Sequence, residues 1–158
     1  MIEQLASWLQ NTPVAISVAE NWFPQIESLH VIALAMVAGT IFTVDARLLG
    51  LASRDLGFTY LADRLLPWTW RAFVLAVLTG GLLFSSHATE YLEKTPFLIK
   101  MGLLVLAGLN MAYFQFVTLR GVGRWDTGRP VLAARLAGAM SILLWSAIIA
   151  CGRWIGFV

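Results

Sequence analysis

The chain has 158 residues, of which 59% are hydrophobic and only 13% charged, with a mean hydropathy of +0.76 and a formal net charge of +2. A soluble domain carries about a quarter charged residues, so this composition describes an integral membrane protein of one domain, too short for a large extramembrane part. The 11 lysines and arginines are scattered rather than massed, which excludes a nucleic-acid-binding tract, and the single cysteine, Cys151, excludes an intrachain disulfide and a cysteine-rich metal centre.

Residues 1–23 begin MIEQLASWLQ, without a basic leading region or a long apolar core, and are expected to stay attached rather than to be cleaved as a signal peptide. Ile2, Leu5, Ala6 and Leu9 recur at helical spacing, and Trp8, Trp22 and Phe23 suit a membrane interface. Thr12 followed by Pro13 reads as a helix cap and first turn. This predicts two short interfacial helices over 1–23, ahead of a transmembrane domain over 24–158.

The first predicted span is Pro24 to Leu49. From Ser28 to Val44 it is apolar or small apart from His30 and two threonines, close to the roughly 20 residues that cross a bilayer. An ionisable residue within a span is expected to face the bundle interior and to have a partner there. Glu27 lies three residues earlier on the same face, placed to fix the ring. Two readings of His30 carry equal weight at this point: a neutral histidine bonded to a neighbouring helix, or a metal or haem ligand oriented through its second ring nitrogen.

After the charged, amphipathic stretch LASRDLGFTYLADRL, Pro67 is expected to open the second span, which reaches His87 about 20 residues later at the far interface. Gly80 lies two turns before His87 on the same face, where a glycine permits close approach of a helix or a flat cofactor. Thr95-Pro96 marks the start of the third span and puts Lys100 about a turn inside, while Asn110, Tyr113 and Gln115 make its second half mildly polar. The connection GVGRWDTGRP is glycine-rich but lacks the strand, lysine and hydroxyl of a phosphate loop. The fourth span follows Pro130, offers Ala137, Gly138 and Ser141 as a small-residue packing surface, and carries Arg153 near its end. Asp45, Arg47 and Arg71 are expected to form a charge cluster.

Eight of the 11 basic residues (Arg47, Arg54, Arg64, Arg71, Arg120, Arg124, Arg129 and Arg135) fall in the regions between spans one and two and between spans three and four. The positive-inside rule makes both regions cytoplasmic and both termini external. Glu27, His30, His87, Lys100 and Arg153 then share the outer half of the bilayer. Two imidazoles on separate helices suit axial ligation of a b-type haem, with Lys100 or Arg153 facing its propionates. The competing readings are polar residues at the interface for His87, and snorkelling for Lys100 and Arg153. Met36 and Met101 near the same region keep copper as an alternative.

Ser28-Leu29-His30-Val31-Ile32, with Ala38-Gly39 and Arg47 beyond, resembles the first helix of HemJ-type protoporphyrinogen oxidases and the related CopD-like membrane proteins. Phe97-Leu98-Ile99-Lys100-Met101, with Tyr113 beyond, is similar to the third helix of the HemJ type, where a lysine accompanies the histidine of helix one. Trp8-Leu9, Thr12-Pro13 and Glu27 to His30 resemble the recurring opening of a group of uncharacterised four-helix bacterial inner-membrane proteins. The Asn-Glu-x-x-Pro pattern that the HemJ type carries before its last helix is missing around Arg135. The resemblance implies an all-α, four-helix, haem-associated fold in a bacterial inner membrane.

The sequence thus yields three functional expectations. The first is a b-type haem protein for electron transfer or haem-dependent oxidoreduction near the outer face, with His30 and His87 as iron ligands and Lys100, Arg153 and Glu27 around them. The second is CopD-like copper handling or transport, and the third a structural accessory subunit. The expected partners are the lipid bilayer, a quinone or a redox protein, and a second copy of the chain in a homo-oligomer, with no nucleic acid.

Overall fold

The computed structural model describes residues 1–53 and 55–157; Arg54, one of the loop arginines counted above, lies outside them. The described chain is helical throughout, with α1 Ile2–Gln10, α2 Pro13–Ser17, α3 Phe23–Leu49, α4 Phe58–Ser86, α5 Ala88–Glu93, α6 Thr95–Tyr113 and α7 Leu132–Trp154. Four stretches are long and apolar enough to cross a membrane: Pro13–Leu49, Phe58–Ser86, Thr95–Arg124 and Leu132–Phe157. The protein is an all-α, multi-pass membrane bundle of four long helices.

Two boundaries differ from the sequence expectation. The Thr12 hydroxyl does cap α2, accepting from the Ala15 N–H at 3.3 Å, but α2 then runs through a π-helical turn at Val18–Trp22 directly into α3. Pro67 lies inside α4 rather than at its start, because α4 begins nine residues earlier, at Phe58. Proline there removes one backbone donor, near the exposed end of the helix where water can take its place. The early start is held from outside: Asp126, in the connection before α7, accepts the Phe58 N–H on its carbonyl at 2.9 Å and the Thr59 N–H on its carboxylate at 2.7 Å. Those bonds from Thr59 hold the Asp126 carboxyl below the usual carboxylate range. A Cβ on Gly57 would come within 2.9 Å of that carboxylate and would push it aside.

Helix α3 is central, packing on α4 along one side and on α7 along the other, and α6 packs on α7. The antiparallel α3–α4 register is readable in three levels: Thr40 bonded to Thr69 at 2.8 Å, His30 opposite Thr79, and Phe23 edge-on to His87. Gly138 lets α7 approach α3, where a Cβ would sit 3.1 Å from that of Leu48. The Asn110 amide donates to the Ala137 carbonyl at 3.0 Å and ties α6 to α7, while Tyr113 and Gln115 of the expected polar half are exposed. No residue of α6 is buried, which leaves Val105, Leu106 and Leu109 as lipid-facing surface.

The expected Asp45–Arg47–Arg71 cluster does not form. Arg47, only 1% exposed, donates to the carbonyls of Leu56 and Asp126 at 2.9 Å and of Gly128 at 3.4 Å. Arg71 stacks over Trp68 at 5.0 Å, while buried Asp45 faces Ser141 and keeps Oδ2 without a partner. A guanidinium satisfied by loop carbonyls does not need a carboxylate. Val44, Leu48, Phe58, Ala62, Trp125 and Ala134 close the core behind this latch, and Val37, Ala72, Trp145 and Ile148 form a second core in mid-bundle.

Candidate functional site

The five candidate residues all lie at the end of the bundle opposite the α3–α4 and α6–α7 connections. His30 is seven residues into α3 and Lys100 five into α6, depths of about 10 and 8 Å at 1.5 Å rise per residue. His87 follows the last residue of α4, and Arg153 is one residue from the end of α7.

His30 points across the α3–α4 seam and seats its ring on Gly80: a Cβ there would lie 2.9 Å from Cε1, 3.5 Å from Nδ1 and 3.8 Å from Nε2. The ring nitrogen Nδ1 is 2.9 Å from the Thr79 hydroxyl oxygen, and that hydroxyl is itself 2.7 Å from the Leu75 carbonyl. A hydroxyl has one proton. Given to the carbonyl, it leaves Thr79 as an acceptor, the arrangement in which His30 would carry its proton on Nδ1 and its lone pair on Nε2.

His87 repeats the arrangement. Its Nδ1 is 3.0 Å from the Ser86 hydroxyl, which donates to the Leu83 carbonyl at 2.7 Å, the same arrangement around Nδ1. Its ring meets Phe23 edge-on, with centroids 5.4 Å apart. The two imidazoles therefore line one helix seam, each with Nδ1 beside a hydroxyl, at levels about 10 Å apart along α4. No ring contact joins them among the described residues.

Lys100 is half-buried, lying on Gly152 of α7 with Nζ 3.5 Å from where a Cβ would sit, and it lies within electrostatic range of His30 and of Cys151. No hydrogen bond or ion pair holds this ammonium among the described residues. Lys94, by contrast, donates to the Ile155 carbonyl at 3.3 Å. Arg153 is exposed and stacks over Phe157 at 4.8 Å. Glu27 is exposed and does not fix the His30 ring; Thr79 does. The charge of Glu27 instead reaches Tyr91, whose phenol is pushed above its ordinary range first by burial and then by Glu27 and Glu90. Tyr91, Phe84 and Phe97 close this end with an aromatic stack, and Gln10 of α1 accepts from both the backbone and hydroxyl of Thr89 in α5. Among the described residues no three His, Cys, Asp or Glu side chains converge as a metal cluster.

Thr79, Ser86 and Gly152 are the site residues that sequence reasoning passed over. Each is a small residue in a span, and only the helix register shows which polar side chain it serves. Gly80 tests the seat directly. Gly80→Ala should lower stability by about 1–3 kcal/mol in thermal unfolding, since the new methyl forces the His30 ring off Thr79. Gly81→Ala should be neutral or stabilising by up to about 1 kcal/mol, because its Cβ enters open space.

No curated protein and no solved structure matches the chain. Residues 17–158, which include both histidines, Lys100 and the whole four-helix bundle, match a family of unknown function, DUF6644, and the chain belongs to that family.

Proposed function

We propose that this protein binds a b-type haem near the outer end of its helix bundle and serves electron transfer or a haem-dependent oxidoreduction there. The observation that carries this reading is the repeated arrangement: two histidines on one seam, each with Nδ1 beside a hydroxyl that has a backbone carbonyl to donate to. Metal-bound histidines are oriented through the other nitrogen in this way, which supports iron ligation by an imidazole of this seam. His30 would be the primary ligand, being deeper and rigidly seated. His87, about 10 Å away along the seam, would have to turn toward the same iron to become the second ligand, a position that water can take instead.

When bound, the haem supplies one-electron chemistry in an apolar setting. The chain supplies the rest: Lys100 offers a half-buried cation for a propionate, Arg153 a second one at the rim, and the apolar flanks of the spans exclude water. The likeness of the first and third helices to the HemJ type supports the same pairing of histidine and lysine. A quinone or a redox protein meets the site from the membrane or the outer surface.

The experiment is iron and copper content per chain, measured on purified wild type and Lys100→Met. The proposal expects iron in wild type and lower iron in Lys100→Met, with Lys100→Arg restoring part of it, since a planar fork differs from an ammonium in shape and reach. Copper without iron would favour the copper-handling reading, and unchanged iron in Lys100→Met would assign the lysine to snorkelling. The basic-loop bias further supports both termini outside, and the resemblance of the opening residues implies a bacterial inner membrane. In a Cys151→Ser background, thiol labels at Gln4→Cys and Thr127→Cys should react from opposite sides, Gln4 from the outside. Labelling of Gln4 only from the cytoplasm would reverse that orientation.

A further inference from the structure

We propose that the face formed by the α3–α4 and α6–α7 connections binds a phosphate-bearing anion, and that in the membrane this is the headgroup of an anionic phospholipid. A cavity of about 520 Å³ opens there, lined by Arg47, Arg129 and Arg135 together with apolar residues such as Leu49 and Leu51. Three cations share one concavity, and among the described residues no carboxylate lines it. The adjacent acid, Asp126, spends its carboxylate on the Thr59 N–H of α4.

The three arginines differ in what they do. Arg47 is fixed by its bonds to Leu56, Asp126 and Gly128, and so forms a rigid cationic wall. The side chains of Arg129 and Arg135 form no hydrogen bond or ion pair among the described residues. Arg135 stands in the first turn of α7, a 23-residue helix without a side-chain cap at its start. A cation in that position opposes the helix dipole, and the uncapped N–H groups of the first turn add further positive potential. An anion seated between Arg129, Arg135 and the Arg47 wall reverses this penalty. Phosphate oxygens match guanidinium forks in geometry as well as charge.

The height of the cavity favours lipid over free phosphate as the source. It lies beside the last residue of α3 and the start of α7, where the spans end, and its wall combines guanidinium with leucine. A headgroup phosphate with glycerol and acyl carbons below it meets both, and basic pockets between spans on a loop face bind such headgroups.

The test is native mass spectrometry of the full chain released from uncharged detergent containing equal amounts of phosphatidylglycerol and phosphatidylcholine. Wild type should retain phosphatidylglycerol preferentially. Each of the two unpaired cations near a headgroup is worth about fivefold, so Arg129→Gln should reduce the preference about fivefold and Arg129→Gln/Arg135→Gln about 25-fold. Neither change removes a hydrogen bond, so the thermal unfolding midpoint should stay put, which separates loss of binding from loss of fold. In a second arm, millimolar inorganic phosphate should leave the preference intact if lipid is the ligand. Displacement of the lipid by inorganic phosphate would instead identify free phosphate as the source of the same anion. Equal retention of both lipids by wild type, or an undiminished preference in the double variant, would overturn the proposal.

Discussion

His30→Ala should abolish the Soret absorbance of the purified protein while leaving its membrane-inserted level near wild type. The ring is placed about 10 Å into the bundle, pressed on Gly80 and tied through Nδ1 to Thr79, so it presents one nitrogen in one direction. Alanine removes that donor and leaves Thr79 satisfied, since its proton already goes to the Leu75 carbonyl. The fold therefore loses a hydrogen bond and some packing without gaining an orphaned polar group, a modest cost on the order of 1–2 kcal/mol. His87→Ala should behave differently. At the end of α4 water can enter the vacated position, and the protein should retain haem with a shifted, more high-spin spectrum. Both spectra are compared per mole of protein, so that a change in yield does not pass for a change in binding. Normal haem binding by His30→Ala would reduce this histidine to an interhelical hydrogen bonder.

Arg47→Met should give the largest loss of stability of any substitution on the loop face, on the order of 3 kcal/mol or more in detergent unfolding. The guanidinium is almost wholly buried and gathers three carbonyls, from Leu56, Asp126 and Gly128, which belong to the two connections on that face. Methionine fills part of the volume but takes the charged donor away from the Leu56 and Gly128 carbonyls, while Asp126 keeps the Phe58 N–H, and each hydrogen bond lost from a charged group costs about 1.5–3 kcal/mol. The effect should spread to α4, because the same loop supplies the Asp126 groups that hold the Phe58 and Thr59 N–H groups. Arg71→Met is the control. Arg71 is exposed and stacks on Trp68, an interaction worth about 0.5–1 kcal/mol, so its loss should be small. Equal effects of the two changes would mean that Arg47 is not the latch described here.

The spans were legible in the sequence because hydrocarbon imposes one requirement, a long apolar helix, that a run such as Ser28 to Val44 meets without reference to any other part of the chain. Local signals were equally readable: Thr12 as a cap, Thr95-Pro96 as a start, and Asn110 as a polar contact on the third span. Pro67 misled, since a proline at a helix start and one tolerated inside a long span leave the same mark. Deciding between them required Asp126, 68 positions away from Phe58, whose bond to that N–H sets the true beginning. The candidate site shows the same division. His30 stood out as an ionisable residue in an apolar run, and Gly80 as a place of close approach. That they meet, with Thr79 and not Glu27 fixing the ring, depends on the α3–α4 register, which hydropathy does not encode.

The most direct test of the central claim is the absorbance of purified wild-type protein before and after dithionite, recorded beside His30→Ala. A Soret band that shifts on reduction and develops α and β bands, present in wild type and missing from His30→Ala, is the predicted result. A wild-type protein that is spectrally silent in both states, after expression with sufficient haem, would contradict it.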